Sequence, residues 1–280
     1  AGLEACFEPH VTDAMVACIR EGVRQLLVEM PAYEMMRRVE VEYPLECHVI
    51  GHVVGQETFA LAHSAEQAFR SCQPASCVHA CTHGVVGEAL LTSGGVPGSS
   101  EEWRHPTLDM LRAEGERICT DETTCHSIGH VFLLIVKDLA EALALCDEIA
   151  LHNPKACYGG VFMENGSAIV AKTMPGGAHE YVRYYDPENL LSPCDTLESK
   201  YQQLCFRFLY SVQSRTLKDR GITDPEERFT LLTATCEGVP SPENRMACFK
   251  SIGWSFLEKT ERTFAQSREQ CATIAAVADR

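Results

Sequence analysis

The chain has 280 residues, 39 acidic against 24 basic, and a net charge of −15. No Lys/Arg cluster is present to neutralise phosphates, which argues against nucleic acid as a partner. No run of 18 apolar residues occurs, so no transmembrane helix is expected. The fifteen cysteines are spread from Cys6 to Cys271 and not gathered into Cys-x2-Cys knuckles, which argues against a zinc ribbon or an iron–sulfur cluster. Dispersed cysteines read as disulfides, and hence as an oxidising compartment: a secreted, periplasmic or cell-surface protein.

Strand signals are nearly absent. The expected fold class is all-α, built of tandem helical hairpins (solenoid-like or bundled) stapled by disulfides. Residues 1–46 read as an N-terminal helical segment, with Cys6–Cys18 as a staple.

Repeat unit 1, residues 47–118, opens at Cys47-His48-Val49-Ile50-Gly51-His52 and runs as a long helix to Cys72. It turns through Gln73-Pro74-Ala75-Ser76 and resumes at Ala80-Cys81. Cys72–Cys81 is its expected staple, with Cys77 competing. A Gly/Ser-rich loop, Thr92 to Ser100, leads onward.

Repeat unit 2, residues 119–193, restates the pattern from Cys125-His126-Ser127-Ile128-Gly129-His130 to Cys146. Val131 to Ile149 reads as one helix, with Leu139, Leu143 and Cys146 on one stripe. The turn Asn153-Pro154-Lys155 precedes Ala156-Cys157, and a second loop, Met174 to Ala178, follows. Repeat unit 3, residues 194–280, is a degenerate copy with C-terminal helices. It begins at Cys205-Phe206, turns at Ser241-Pro242-Glu243-Asn244 and resumes at Ala247-Cys248.

The copies start 78 and 80 residues apart, and together they read as one continuous domain. Matched offsets pair Cys146 with Cys157 and Cys236 with Cys248, while Cys119–Cys125 and Cys194–Cys205 brace the linkers. Such short loops contribute about 2–3 kcal/mol each in the chain-entropy model. The odd count leaves at least one thiol free, metal-bound or paired with another chain.

Three His-x3-His pairs carry the chemistry: His48/His52, His79/His83 and His126/His130. Residues four apart share a helix face, so each pair can present two imidazoles to one ion. The repeats act as internal controls. Repeat 3 keeps Cys205 but has Phe206 and Tyr210 where repeat 2 has His126 and His130. The second helix of repeat 2 has Lys155 and Gly159 at the positions of His79 and His83. The framework therefore tolerates loss of these histidines, which points to a metal role and not to packing.

All six imidazoles are expected at one end of the bundle, as two three-histidine sites. Copper is the favoured ion, because imidazole suits it. Zinc follows, and iron or a bis-histidine haem are further readings. His63 is expected in the core. His10, His105, His152 and His179 have no partner spacing. Glu57 and Glu88 each follow a ligand candidate by five residues, which turns them off that face, leaving them solvated or placed behind a neighbouring ring. Cys47 and Cys125 read as disulfide-bonded. Gly51, Gly84 and Gly129 are expected to let a neighbouring helix approach closely.

The functional expectation is an extracytoplasmic metal-binding protein, with a copper-dependent oxidoreductase acting on dioxygen or a small molecule as its sharper form. A non-enzymatic metal or haem carrier and a disulfide-stapled scaffold for an unknown protein partner are the alternatives.

Overall fold

The computed structural model describes residues 2–8, 11–62, 64–73, 77–91, 107–150, 153–173, 184–258 and 272. His10, His63, His105, His152, His179, Cys271 and the loops Thr92–Ser100 and Met174–Ala178 lie outside them. Among the described residues there is no strand, and the all-α, disulfide-stapled class holds. The chain divides into two compact units. An N-terminal unit comprises Ala1–Glu164 and Ala168–Val182, and a C-terminal unit comprises Asn165–Ser167 and Arg183–Arg280.

The N-terminal unit opens with α1 (Asp13–Glu29) and α2 (Ala32–Glu42). The Thr12 hydroxyl caps α1 by accepting from Met15 N–H, satisfying one of the unpaired first-turn donors. Both helices are amphipathic and bury one stripe, Val16, Ile19 and Val23 on α1 and Met35, Met36 and Val39 on α2. Those stripes cover α3 (Cys47–Ala62), which is buried continuously from Val49 to Phe59. A helix apolar all round belongs in an interior, and α5 (Ala80–Leu91) is buried in the same way. The short α4 (Ala65–Ser71) links them.

Next come α6 (Leu108–Ile118), α7 (Glu122–Val136), α8 (Leu139–Ile149), α9 (Pro154–Ser167) and α10 (Ile169–Thr173). Asp121 and Thr124 close a capping box on α7. The run from Val131 to Ile149 is two helices, not the single one expected. Lys137 adopts a left-handed conformation (φ 52°) that ends α7, and the Asp138 carboxylate accepts from Glu141 N–H to start α8. Leu139, Leu143 and Cys146 are all buried on α8, as their common stripe implied.

Two glycine crossings set the architecture of this unit. A Cβ on Gly55 would lie 2.0 Å from the Cys81 carbonyl oxygen, and one on Gly84 would lie 2.0 Å from the His52 carbonyl oxygen. The second hairpin repeats this approach: a Cβ on Gly129 would lie 2.0 Å from the Cys157 carbonyl oxygen, and one on Gly160 would lie 1.9 Å from that of His126. Only glycine lets two helix backbones touch there.

These crossings correct the alignment of the repeats. Gly55 and Gly129 are 74 positions apart, as are Cys72 and Cys146, the first members of the two hairpin staples. The Cys-His motifs are 78 apart. The motif of α3 therefore sits one helical turn early. His52 matches His126, Gln56 matches His130, and His48 has no histidine counterpart.

The C-terminal unit holds α11 (Ser199–Phe208), α12 (Tyr210–Asp219), α13 (Pro225–Glu237) and α14 (Pro242–Glu258). It contains no histidine. Ser251, three residues after Cys248, stands where Gly84 and Gly160 stand after Cys81 and Cys157. A side chain there does not fit against an unbroken helix. The first helix is broken at Leu209, and Ser251 Oγ accepts from the freed Tyr210 N–H at 2.7 Å.

All six expected disulfides form: Cys6–Cys18, Cys72–Cys81, Cys119–Cys125, Cys146–Cys157, Cys194–Cys205 and Cys236–Cys248. A seventh, Cys47–Cys77, joins the start of α3 to the turn before α5. Seven disulfides are consistent with an oxidising compartment, and no described helix is long and apolar enough to cross a membrane.

Candidate metal centre

Five of the six candidate rings meet. His48 and His52 project from α3, His83 from α5, and His126 and His130 from α7. Ligand nitrogens of His48, His52 and His83 all lie within 4.8 Å of one another, and so do those of His83, His126 and His130. His83 belongs to both triads, and its ring centroid is 5.3–5.5 Å from those of the other four.

The sixth candidate, His79, is not in either triad. It sits in the turn Cys77–His79, where Cys77 is buried, Val78 and His79 are exposed, and all three residues have positive φ, 50°, 54° and 62°. Three consecutive non-glycine residues in the left-handed region are strained, and the β-branched Val78 most of all. Expecting His79 on the face of His83 assumed that α5 extends one turn earlier than it does. His79 does lie near enough to His126 to disfavour its protonation.

Within each helical pair the rings face nitrogen to nitrogen. His48 Nε2 and His52 Nε2 are 3.2 Å apart, as are His126 Nε2 and His130 Nε2. Tetrahedral ligation at zinc–nitrogen lengths would put two nitrogens about 3.3 Å apart.

The opposite edges of three rings are fixed. His48 Nδ1 lies 3.0 Å from the Cys77 carbonyl, which the Cys47–Cys77 disulfide holds in place. His130 Nδ1 lies 2.9 Å from Glu164 Oε2, with both side chains fully buried. The His126 ring is hydrogen-bonded to the Ala156 backbone in a way that favours protonation, so the ring is the donor. With Nε2 turned to His130, the donor is Nδ1. A carbonyl or a carboxylate can only accept here, so these Nδ1 atoms carry the ring protons and the Nε2 atoms present lone pairs. Across His126 and His130, two lone pairs then face each other at 3.2 Å, an arrangement that needs a cation, either proton or metal. Nδ1 of His52 and Nδ1 of His83 are buried with no hydrogen-bond partner among the described residues.

Burial disfavours a proton on four of the rings. It pushes His48 down to about 4 and His126 to about 3, and it holds His52 and His83 well below the ordinary histidine range, with neighbouring imidazoles adding to the effect. His52, His83 and His130 are closed off from solvent, whereas His48 and His126 keep an exposed edge. The cluster is therefore reached from the side of those two rings.

Glu164 is the functional residue that sequence reasoning passed over. Besides His130 it accepts from Val170 N–H and Ala171 N–H at the start of α10. Its counterpart in the first hairpin is Glu88, whose carboxyl is pushed up by burial, and the counterpart of His130 is Gln56. The pairing of a buried glutamate with the position of His130 was the available signal, and the one-turn slip in register hid it. Glu57 faces away from the rings, as its spacing required. It is not solvated, because Arg20 and Arg24 both pair with it, and Arg20 also reaches Gln56 Oε1 and the Thr173 carbonyl.

Cys47 and Cys125 are in disulfides and leave an all-imidazole donor set. Comparison with known proteins adds no assignment: no family model, curated protein or solved structure matches this chain.

Proposed function

We propose that the N-terminal unit is the metal-binding module of an extracytoplasmic protein, with copper as the preferred ion. The observation that carries this is the His126–His130 contact, in which both Nδ1 atoms are anchored and both Nε2 lone pairs point at one spot. An imidazole-only donor set suits copper and zinc better than non-haem iron, which ordinarily takes a carboxylate as well. The rings pack too closely for the plane of a porphyrin to pass between them, which disfavours haem.

Three ligands per triad leave a fourth coordination position for an outside molecule, as in catalytic metal sites, and the exposed edges of His48 and His126 are the side of approach. The reaction class that follows is oxidation of a small molecule by copper and dioxygen. The second reading is a carrier that uses the same ligands without turnover.

Elemental analysis after loading with copper or zinc tests the site, on protein purified without a polyhistidine tag. His130→Ala and His83→Ala should lose bound metal while keeping their helical circular dichroism. Unchanged metal content in both would overturn the proposal. Oxygen uptake with a panel of reductants then separates an oxidoreductase from a carrier.

A further inference from the structure

We infer that His83 bridges two ions as an imidazolate, so that the centre is dinuclear. This rests on the metal-site reading above and adds to it the number of ions and the role of the shared ring.

The first ground is the ring count. Two separate histidine pairs each need a third donor, and His83 is the one ring that completes both triads. The second hairpin has Gly159 at the matching position and supplies no ring of its own. The second ground is the state of His83 itself. It is buried and its Nδ1 has no partner, a state it shares with His52, whereas His48, His126 and His130 have that edge anchored by the protein; of the two unanchored rings only His83 belongs to both triads. A buried nitrogen without a partner is costly, and a ring that binds an ion through each nitrogen removes the cost on both sides.

The third ground is the displacement of the two pairs. One is His48/His52 and the other is His126/His130, where His126 matches His52. Relative to the glycine crossings, the pairs are displaced by one helical turn, a rise of about 5.4 Å. Two pairs displaced along their helices suit two ions better than one ion shared between equivalent rings.

The chemistry balances simply. Neutral His83 carries one N–H proton and one lone pair. The first divalent ion takes the lone pair. Binding of the second displaces the N–H proton to solvent, and the resulting imidazolate donates one electron pair to each ion.

The test is copper(II) titration of the whole chain, followed by electron paramagnetic resonance and by proton release in weak buffer. The expected result is two copper ions per chain with an integrated signal far below the copper content, because an imidazolate couples the two spins. One proton should be released with the second ion. Loading one equivalent of zinc and then one of copper should restore a full single-ion signal in the unmutated protein, so the result does not depend on a variant folding. His83→Gln should give a signal equal to its copper content.

Two coppers with a full signal, or a single copper per chain, would overturn the bridge while leaving the metal site intact. Failure of the unmutated chain to bind copper or zinc would instead overturn the reading on which the bridge rests.

Discussion

His130 Nδ1 lies 2.9 Å from Glu164 Oε2 inside a fully buried pair, and the same carboxylate holds the first amides of α10. Glu164 thus sets the tautomer of one ring and the start of the following helix together. Outer partners of this kind typically change metal affinity 10–100-fold. Glu164→Gln keeps the shape but places an amide N–H₂ among donors. Copper or zinc affinity, measured by competition with a chelator, should fall by about that factor, with a stability loss of about 1–3 kcal/mol from the unpaired amides. Glu57→Gln is the control. It should weaken folding, because it breaks the pairing with Arg20 and Arg24, and leave metal affinity within about twofold, as its carboxylate faces away from the rings.

The crossings predict a steric result. Gly84→Ala puts a methyl group 2.0 Å from the His52 carbonyl, and Gly129→Ala does the same to Cys157. In both cases the obstacle is backbone, so the helices must separate. Each variant should lose about 1–3 kcal/mol or more by denaturant unfolding, together with metal binding, because α3 and α5 or α7 and α9 carry the rings and their anchors. Gly221→Ala meets nothing within 4 Å but has φ of +84°. It should cost stability through its backbone alone and leave metal binding unchanged.

Acid should weaken the metal-free protein in a defined window. Burial depresses His48 to about 4 and His126 to about 3, and holds His52 and His83 well below the ordinary histidine range. In the unfolded chain these rings titrate near 6.5. Below that pH the unfolded state binds protons that the native state refuses, so stability is complete above about 6.5 and declines as pH falls. Denaturant midpoints at pH 7.5, 6 and 5 should fall steadily, before carboxylates titrate. A flat profile would mean that the rings are hydrated in the folded state.

His79 gives the cleanest contrast among the histidines. It is exposed and stands outside both triads. His79→Ala should retain full metal content, whereas His48→Ala should lose binding at the first triad. Equal losses would show that the Cys77–His79 turn rearranges when metal binds.

Much of this molecule was legible in its sequence, for identifiable reasons. Cysteines at hairpin offsets named three staples, and close spacing in the linkers and near the N-terminus named three more, because a short loop leaves few partners. Cys47–Cys77 escaped, since its partners are 30 residues apart and no repeat copy echoes the bond. The histidine pairs were visible because period-four spacing is a local property. Their register was not, because Cys-His-x-x-Gly-His can match itself one turn out of place, and only the contact between Gly55 and the Cys81 carbonyl shows which glycine makes the crossing. His79 was misplaced for a related reason. A left-handed Val78 contradicts local preference and is held by a distant disulfide, which no window of sequence reveals.

The Cys77 carbonyl that orients His48 is fixed by a bond between two sulfurs. The first triad is consequently finished only after oxidation. A chain still in its dithiol form would offer thiolates to an incoming ion in competition with imidazoles. On the proposed metal-binding reading, maturation therefore has an order, sulfur chemistry first and metal second, and a reductant able to reach Cys47 would act as an eraser of the first triad.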